Sequence, residues 1–458
     1  MCTSPHVVRE KWENCWTAPY GRNSAAGNKE ETTLPSKASR PGRPAKFNST
    51  MKEVMRPDRL IWLGMLTLGL SLPAWPQYRA ASEAELGWTD STLQVIDPLR
   101  SSLLAGVRDG TDRLHGRQHM AAFLDAWRSL LSGEGELTGP LHILHFGGSH
   151  VQAGRIGWAF RKALQGDRPG VIATRGVVPP HRLVGENGPP ETRWSSAASW
   201  FGQRSAHRRH QGHWGLTGIE ATSMTPDTIR LWCSALEDCP DDVSILTRPE
   251  ESNLWQVADT KQTKAGDTLI LIPPVSEKAH FHGVQFHHDK ADVVYHDLGG
   301  NGASTAAWLR HPHLVDQLRS TGADLAILAW GINDAHMAPE RFNPDRFKAR
   351  YAQLIDSVRA ANPVVDILLV TNNDSHYRRR HNPNAEKVRK AMLELVSEKH
   401  VACWDLYHAL GGAHSIDALC DAGFAASDRL HFNRNGYILI GELLYMVLTR
   451  NALSPVTP

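Results

Sequence analysis

Three short apolar runs, each ending in glycine or polar residues, constrain the fold of this chain more than any other feature. They are LHILHFGG (141–148), DLAILAWGIND (324–334) and VDILLVTNND (365–374). Short apolar runs bounded by Gly, Asn and Asp are typical of strands buried on both faces. Helical spacing of apolar residues follows them, at 151–164, 347–361 and 385–399. Alternating strands and helices predict an α/β fold on a parallel sheet, with a ligand site at the carboxyl ends of the strands.

The regions around these runs differ in texture. Residues 79–140 have helical spacing, clearest in HMAAFLDAWRSLLSG (119–133), and are expected to pack outside the sheet. Residues 176–289 consist of short alternating runs separated by Pro, Gly and Asp, which is typical of a β-sandwich or jelly roll. The sequence therefore predicts an α/β domain formed by residues 141–175 and 290–450, with 176–289 as an inserted β-rich domain.

The N-terminal residues fall into two segments of different composition. Residues 1–50 are rich in Ser, Pro, Gly, Lys and Arg, so we expect a disordered or non-native extension. Residues 51–78 place basic residues before the apolar run LIWLGMLTLGLSL (60–72), followed by a break at PAWPQYRA. This pattern predicts a secretory signal peptide, too short for an ordinary membrane span, with an uncleaved anchor as the alternative. We therefore expect an exported protein of the periplasm, cell envelope or extracellular space.

Charge and cysteine content exclude some classes of function. The formal net charge is +2, but residues 1–59 carry 11 Lys or Arg against 6 Asp or Glu, which leaves −3 for the remainder. A mildly acidic body gives no electrostatic reason to expect nucleic-acid binding. The pairs Cys233–Cys239 and Cys403–Cys420 are possible disulfides in an exported chain, although the sequence does not fix the pairing. Without a CxxC unit we expect no structural zinc. The histidines of HRRHQGH (207–213) could bind a metal from one face of a helix, but the run lies in loop-like sequence without a regularly spaced acidic partner, so we expect no metal there and no cofactor.

Four polar clusters lie where such a fold has its ligand site. They are GGSH (147–150), GGNGAS (299–304), GIND (331–334) and DRLH (428–431). Three of them follow predicted strands and the fourth precedes the last helix, so all four are expected to meet at one edge of the sheet. Together they supply a hydroxyl, a base, a carboxylate and N–H donors, which are the groups that acyl transfer requires.

These four blocks, in this order, resemble those of the SGNH (GDSL-type) hydrolases. The resemblance covers residues 141–175 and 290–448 and implies a three-layer, flavodoxin-like fold. On that resemblance Ser149 is the nucleophile, and Asp428 and His431 form the D-x-x-H pair. Gly302 and Asn333 match the oxyanion-hole residues of the second and third blocks.

The chemistry of an ester hydrolase agrees with these assignments. His431 would accept the proton of Ser149, and Asp428 would fix the imidazole tautomer. The N–H groups of Ser149 and Gly302 and the amide of Asn333 would stabilise the tetrahedral intermediate. Each residue also has a simpler interpretation: Ser149 as a helix N-cap, Gly302 as a turn residue, Asn333 as a partner of a loop carbonyl. Asp428 and His431 can equally be an N-cap and a surface histidine.

The first block departs from the family pattern. It normally reads Gly-Asp-Ser, and this chain has Gly148 in place of the aspartate, which in the family braces the loops around the nucleophile. A glycine there predicts a looser turn and a weaker enzyme, unless His150 or Asp334 supplies the brace. On this bracing hypothesis Gly148→Asp raises activity or stability, whereas a loss of both would indicate a pocket remodelled around glycine.

Within this family the layout resembles the peptidoglycan O-acetylesterases, through SHVQAG (149–154), the β-rich insertion, GGNGAS and DRLHFNRNGYILIGELL (428–444). Their insertion resembles a carbohydrate-binding module. The expected function is therefore hydrolysis of esters, above all O-acetyl esters, on peptidoglycan or another carbohydrate. A catalytically weakened glycan-binding envelope protein and an O-acetyltransferase are the alternatives, and nothing indicates the oligomeric state.

Two surface features bear on a carbohydrate substrate. Tryptophans in or near the insertion offer either sugar-stacking faces or, as we favour, buried core: Trp194, Trp200, Trp214, Trp232 and Trp255. The run YRRRHNP (377–383) follows a predicted strand at the active-site edge. A solvated loop is its simplest interpretation, and steering of an acidic glycan is the alternative.

Overall fold

The computed structural model describes Trp88 and residues 90–110, 113–135, 137–233, 240–258 and 268–454. The predicted extension (1–50) and signal peptide (51–78) lie outside the described residues. Within the part of the chain that is described, no helix is both long and apolar enough to cross a membrane.

The N-terminal region forms two helices and a short strand. Helix α1 spans Asp90–Arg108, strand β1 spans Leu114–His115, and helix α2 spans Ala121–Ser132 after a 3-10 turn. Helix α2 buries Phe123, Leu124, Trp127 and Leu131, the face that the helical spacing predicts. It ends at Gly133, whose left-handed conformation (φ 67°) lets its N–H bond to the carbonyl of Ser129.

The first strand–helix unit carries the first polar cluster. Strand β2 (Leu141–Gly147) is followed by the single turn α3 (Ser149–Gln152), helix α4 (Arg155–Asp167) and strand β3 (Ala173–Arg175). The segment with helical spacing, 151–164, is therefore divided between α3 and α4. The chain breaks it at Gly154, where φ is 66°, a value that glycine adopts without strain.

The β-rich region consists of small antiparallel sheets. Its strands are β4 (Val177–Val178), β5 (Thr192–Ser196), β6 (Phe201–Arg204), β7 (Ile219–Ser223), β8 (Ile229–Cys233), β9 (Asp242–Leu246), β10 (Gln256–Ala258), β11 (Thr268–Ile272), β12 (Ala279–Phe281) and β13 (Gly283–His287). They pair in the orders β10-β11-β8-β5, β12-β7-β6 and β4-β13-β9. One apolar core joins them and includes Trp194, Trp200, Trp255 and Phe281. Trp214 is also buried, so four of the five tryptophans are core residues.

The chain then returns to the main sheet. The elements are β14 (Val293–Gly299), α5 (Thr305–Trp308), α6 (Leu314–Arg319), β15 (Leu325–Ala329), α7 (Ile332–Ala335), α8 (Pro344–Ala361), β16 (Asp366–Val370), β17 (His376–Tyr377), β18 (Arg380–His381), α9 (Asn384–Lys399), β19 (Ala402–Trp404), α10 (Leu406–Ala409), α11 (Ser415–Asp421) and α12 (Arg434–Leu453).

The main sheet has seven strands in the order β1-β19-β16-β15-β2-β14-β3. All neighbours are parallel except β1, which pairs antiparallel with β19. The five neighbouring strands β14-β2-β15-β16-β19 have the flavodoxin-like order. Strand β2 lies at the point where the strand order reverses. The expectation that residues 79–140 only pack outside the sheet is wrong at one place, because β1 extends its edge.

Two apolar layers cover the sheet. Successive residues of β15 point to opposite faces: Leu325 and Ile327 pack with α1, α2, α4 and α12, whereas Ala326 and Leu328 pack with α5, α6, α8 and α9. The fold is therefore the three-layer α/β arrangement that the resemblance implies.

The cysteines do not form the second of the two predicted pairs. Cys403 is buried in β19 and Cys420 is partly exposed in α11, and both are free thiols. Cys239 lies outside the described residues, so the pair with Cys233 stays a prediction.

Candidate active site

The register of three strands brings the first three polar clusters together. Gly147, the last residue of β2, pairs with Gly299 of β14 on one side and with Ala329 of β15 on the other. The N–H of Gly300 then donates to the carbonyl of Gly147 at 3.1 Å. The blocks beginning at residues 147, 299 and 331 are thus adjacent at the carboxyl edge of the sheet.

Ser149 is the first residue of α3, with Gly148 at the N-cap position. A Cβ on Gly299 would collide with the backbone N of Gln152, so glycine is required there for α3 to pack against β14. The hydroxyl of Ser149 makes no capping bond and lies 2.9 Å from Nε2 of His431. The interpretation of Ser149 as a helix N-cap is therefore wrong.

Ser149, His431 and Asp428 form a continuous hydrogen-bonded chain. Nδ1 of His431 lies 2.7 Å from Oδ2 of Asp428. Because the carboxylate accepts, Nδ1 carries the proton and Nε2 is free to accept from the hydroxyl of Ser149. This is the tautomer that a general base needs.

Hydrogen bonds keep Asp428 ionised. Its partial burial acts to raise the pKa, but the ring of His431 and the backbone N–H groups of His431 and Leu430 outweigh it and lower the pKa of Asp428 to about 2. The turn that carries the pair places Arg429 in a left-handed conformation (φ 52°). A separate segment of the chain holds this turn, because the N–H of His376 donates to the carbonyl of Arg429 at 2.8 Å.

The predicted oxyanion donors lie at the same edge of the sheet as the serine. Gly302 has φ 74° in the turn after β14, a conformation that favours glycine. Asn333 lies in the short helix α7, and its Nδ2 donates to the carbonyl of Ala303 at 2.9 Å. That bond uses one of the two amide hydrogens and leaves the second for an oxyanion. The N–H of Ser149, in the first turn of α3, has no intrahelical acceptor.

Asp334 braces the second and third clusters against each other. Its two oxygens accept from the hydroxyl of Thr305 at 2.7 Å and from the N–H of Thr305 at 3.1 Å. Burial raises the pKa of Asp334 to about 6, although both hydrogen bonds act in the opposite direction. This is a structural contact and does not touch the reacting groups.

Gly148 has a steric role that the sequence did not reveal. A Cβ at this position would lie 2.6 Å from Nδ2 of Asn333, closer than Cβ contacts in proteins. The amide of Asn333 thus occupies the space that a side chain at 148 would need. The missing aspartate leaves no void here, because Asn333 and Asp334 brace these loops themselves.

His150 connects the serine turn to the loop that carries His431. Its Nε2 lies 3.0 Å from Oδ1 of Asn373, and its Nδ1 lies 3.2 Å from the hydroxyl of Tyr437. Nδ2 of Asn373 in turn donates to the carbonyl of Leu430, at 3.3 Å. Burial and the nearby imidazole of His431 lower the pKa of His150 to about 3, against the opposing hydrogen bond with Asn373, so the ring is neutral.

Several residues of the site were not predicted. Asn373 and Tyr437 hold His150, Thr305 binds Asp334, and Oε1 of Gln152 accepts from the N–H of Asn301. The position of Asn373 directly after a buried strand and that of Gln152 within SHVQAG were available signals. Tyr437 and Thr305 carried none, because each lies in a helix and resembles an ordinary packing residue.

A cleft beside the site lies between the β-rich region and the second cluster. Gln152, Gly300 and Asn301 line one side, and Glu186 and Arg204 line the other as an ion pair at 2.9 Å. Among the described residues, no group of three or more His, Cys, Asp or Glu side chains is arranged to hold a metal ion.

Comparison with known protein families identifies the domain. Residues 279–439 match the model of the GDSL-like lipase/acylhydrolase family. The match covers 161 of the 458 residues of the chain. It contains Gly302, Asn333, Asp428 and His431, whereas Ser149 precedes it, on the far side of the β-rich region. This match supports a carboxylic ester hydrolase.

A solved structure supports the same fold. A peptidoglycan O-acetylesterase is 22% identical, with 72% of this chain and 97% of that chain covered and a TM-score of 0.58. An acetyl xylan esterase (18% identity, 34% and 81% covered, TM-score 0.28) and an acetylxylan esterase from Geobacillus stearothermophilus (17% identity, 35% and 74% covered, TM-score 0.27) also match parts of the chain. No curated protein sequence matches it. The resemblance to SGNH (GDSL-type) hydrolases is confirmed, as is the α/β fold with an additional β-rich region.

Proposed function

We propose that this protein is an exported serine esterase that hydrolyses O-acetyl esters on cell-envelope carbohydrate, through a Ser149–His431–Asp428 triad and an acyl-enzyme. The observation that carries the proposal is the unbroken hydrogen-bonded chain, with 2.9 Å between Oγ of Ser149 and Nε2 of His431 and 2.7 Å between Nδ1 of His431 and Oδ2 of Asp428. Separations of this size permit proton transfer without rearrangement.

In the first step, Oγ of Ser149 attacks the carbonyl carbon of the acetyl ester and passes its proton to Nε2 of His431. Asp428 stabilises the imidazolium that results. The oxyanion is bound by the N–H groups of Ser149 and Gly302 and by the free amide hydrogen of Asn333. When the intermediate collapses, the C–O bond to the sugar breaks, and His431 returns the proton to the leaving alkoxide.

In the second step, water attacks the acetyl-enzyme. Nε2 of His431 removes a proton from this water, and the same donors bind the second oxyanion. Collapse releases acetate and transfers the proton from His431 back to Oγ of Ser149. The cycle needs no metal and no cofactor for its proton balance.

Two observations support a carbohydrate substrate. The fold is shared with a peptidoglycan O-acetylesterase over 97% of that protein. The cleft beside the second cluster has one wall from the β-rich region, so a residue of a bound glycan would contact both parts of the chain. The pattern of basic and apolar residues at 51–78 supports export.

The test is acetate release from O-acetylated peptidoglycan, run beside p-nitrophenyl acetate, with wild-type protein and Ser149→Ala. We expect the variant to lose at least about a thousandfold in kcat/KM on both substrates. Equal rates in the two proteins would exclude Ser149 as the nucleophile. Cleavage of p-nitrophenyl acetate without acetate release from peptidoglycan would exclude the glycan as the substrate.

Ser244→Ala is the matched control. Oγ of Ser244 lies 2.7 Å from Nε2 of His287, an exposed serine–histidine hydrogen bond in the β-rich region. The loss of this second pair is expected to leave both rates unchanged, which separates the role of Ser149 from a general effect of removing such a contact.

A further inference from the structure

An arginine-rich hairpin projects next to the candidate active site. Strands β17 and β18 pair antiparallel, His376 with His381 and Tyr377 with Arg380. Only two residues connect them, Arg378 and Arg379. Both are left-handed, with φ of 51° and 65°. Positive φ at both central residues is the geometry of a type I′ turn.

The turn itself does not explain these arginines. Type I′ turns favour Asn-Gly, because only glycine, and to a lesser degree asparagine and aspartate, adopts positive φ with little strain. A side chain with a Cβ at both positions opposes the local conformation. The fold alone would thus be better served by other residues, and the arginines point to a role outside folding.

Their charge is not neutralised locally. Arg378, Arg379 and Arg380 are all exposed, and within the described part of the chain none has a carboxylate within 4.0 Å. The guanidinium of Arg378 lies 5.3 Å from the ring centre of Tyr377. The nearby carboxylate of Asp417 is already engaged, by Nε of Arg429 at 2.6 Å. Three positive charges therefore stand together on a body whose net charge after residue 59 is −3.

The base of the hairpin is fixed to the site. The N–H of His376 donates to the carbonyl of Arg429, the residue after Asp428. The ring of Tyr377 packs edge-on against His336 at 5.1 Å, and His336 follows Asn333 by three residues. At the other end of the hairpin, Nδ2 of Asn382 donates to the carbonyl of Ala335 at 3.0 Å. The hairpin is thus anchored to the segments that carry the triad carboxylate and the oxyanion amide.

We propose that Arg378 and Arg379 bind carboxylates on the peptides attached to the glycan that presents the ester, so that this hairpin selects anionic over neutral substrates. A guanidinium binds carboxylates through paired N–H donors, and an anchored turn holds the backbone of two of them beside the site. The inference rests on the proposed function, since it names the charge of the substrate of that same site.

The test uses one ester in two charge states. O-acetylated peptidoglycan fragments carry free carboxylates on their peptides, and capping these as methylamides removes the charge while keeping the acetyl ester. We expect wild-type kcat/KM to be about three- to tenfold higher on the charged fragments, the range for two exposed ion pairs, and mainly through KM. This preference should shrink as ionic strength rises.

Arg378→Asn/Arg379→Gly is the informative variant. It installs the residues that the turn favours, so its Tm should equal or exceed that of wild type, and its activity on p-nitrophenyl acetate should be unchanged. The preference for charged fragments should disappear. Arg208→Asn/Arg209→Gly removes an equal charge from another exposed arginine pair, in a turn of the β-rich region, and should keep the preference.

Three results would overturn the proposal. Equal wild-type rates on both fragments would refute the hairpin's role and leave the esterase intact, whereas no acetate release from either fragment would refute both. An equal loss of preference in the two arginine double variants would attribute it to net charge and not to the hairpin.

Discussion

Replacing Gly148 by alanine is expected to lower kcat through Asn333. The new Cβ would lie 2.6 Å from Nδ2 of Asn333, and ordinary contact begins near 3.4 Å, so the amide must move by about 0.8 Å. Its bond to the carbonyl of Ala303 is 2.9 Å long and does not survive such a shift. The same movement displaces the hydrogen proposed to bind the oxyanion.

The size of the effect follows from the donor that is displaced. Loss of one oxyanion donor raises the barrier by about 2.7–4 kcal/mol, which is a 10²–10³-fold loss in kcat. That is the expected result for Asn333→Ala and the upper limit for Gly148→Ala, since the alanine acts through the same amide. The double variant should therefore be no slower than Asn333→Ala alone.

Initial rates on p-nitrophenyl acetate are compared for wild type, Gly148→Ala, Asn333→Ala and the double variant. Gly139→Ala is the control, because a Cβ at Gly139 meets no atom within 4 Å. Losses that multiply in the double variant would show that Gly148 and Asn333 act separately. Full activity in Gly148→Ala would refute the steric argument. For the same reason we now expect Gly148→Asp to lower activity, contrary to the bracing hypothesis.

Two further predictions concern stability. Arg100→Leu should lower the free energy of unfolding, measured by urea titration, by about 3–5 kcal/mol. It leaves Glu442 buried and without the bidentate partner that joins α1 to α12 at 2.7 and 3.0 Å. The control Arg319→Leu, from an exposed ion pair, should change this free energy by less than about 1 kcal/mol. Burial lowers the pKa of His145 from 6.5 to about 3, so the stability of its neutral form is present above pH 6.5 and lost as pH falls toward 3. Between pH 6 and 4, His145→Gln should reduce the pH slope of the unfolding free energy by up to about 1.4 kcal/mol per unit, and an unchanged slope would contradict the assignment.

The parts of the fold that were predictable are those whose signal is local. The runs that became β2, β15 and β16 are apolar without interruption, because each strand is buried on both faces. Strand β1 has two residues and one partner strand, so neither length nor periodicity marks it. The break between α3 and α4 was also hidden, because the apolar spacing continues across Gly154.

The candidate site also has a part that the sequence predicts and a part that depends on three-dimensional contacts. Ser149, Asp428 and His431 were predicted from the resemblance to the SGNH hydrolases, whose acyl transfer needs those residue types. In the structure Ser149 and Asp428 each lie within hydrogen-bond distance of His431. The relation between Gly148 and Asn333 was not predictable, because it depends on a contact between residues 185 positions apart. A missing side chain is visible in a sequence, but the group that occupies its space is not.

The position of the β-rich region explains how Ser149 and the second polar cluster, more than a hundred residues apart in sequence, lie at one edge of the sheet. The region leaves the sheet at β3 and returns at β14, and these two strands are hydrogen-bonded neighbours. Gly176 secures the junction: its N–H donates to Tyr295 of β14 at 3.0 Å, and its carbonyl accepts from Phe286 of β13 at 3.2 Å. Because β14 also pairs along its whole length with β2, the wall of the cleft that the region supplies is joined to the strand that ends beside Ser149. Such an attachment places the cleft wall at a fixed distance from Ser149, which favours recognition of the proposed glycan substrate by a preformed surface and not by a lid that closes over it.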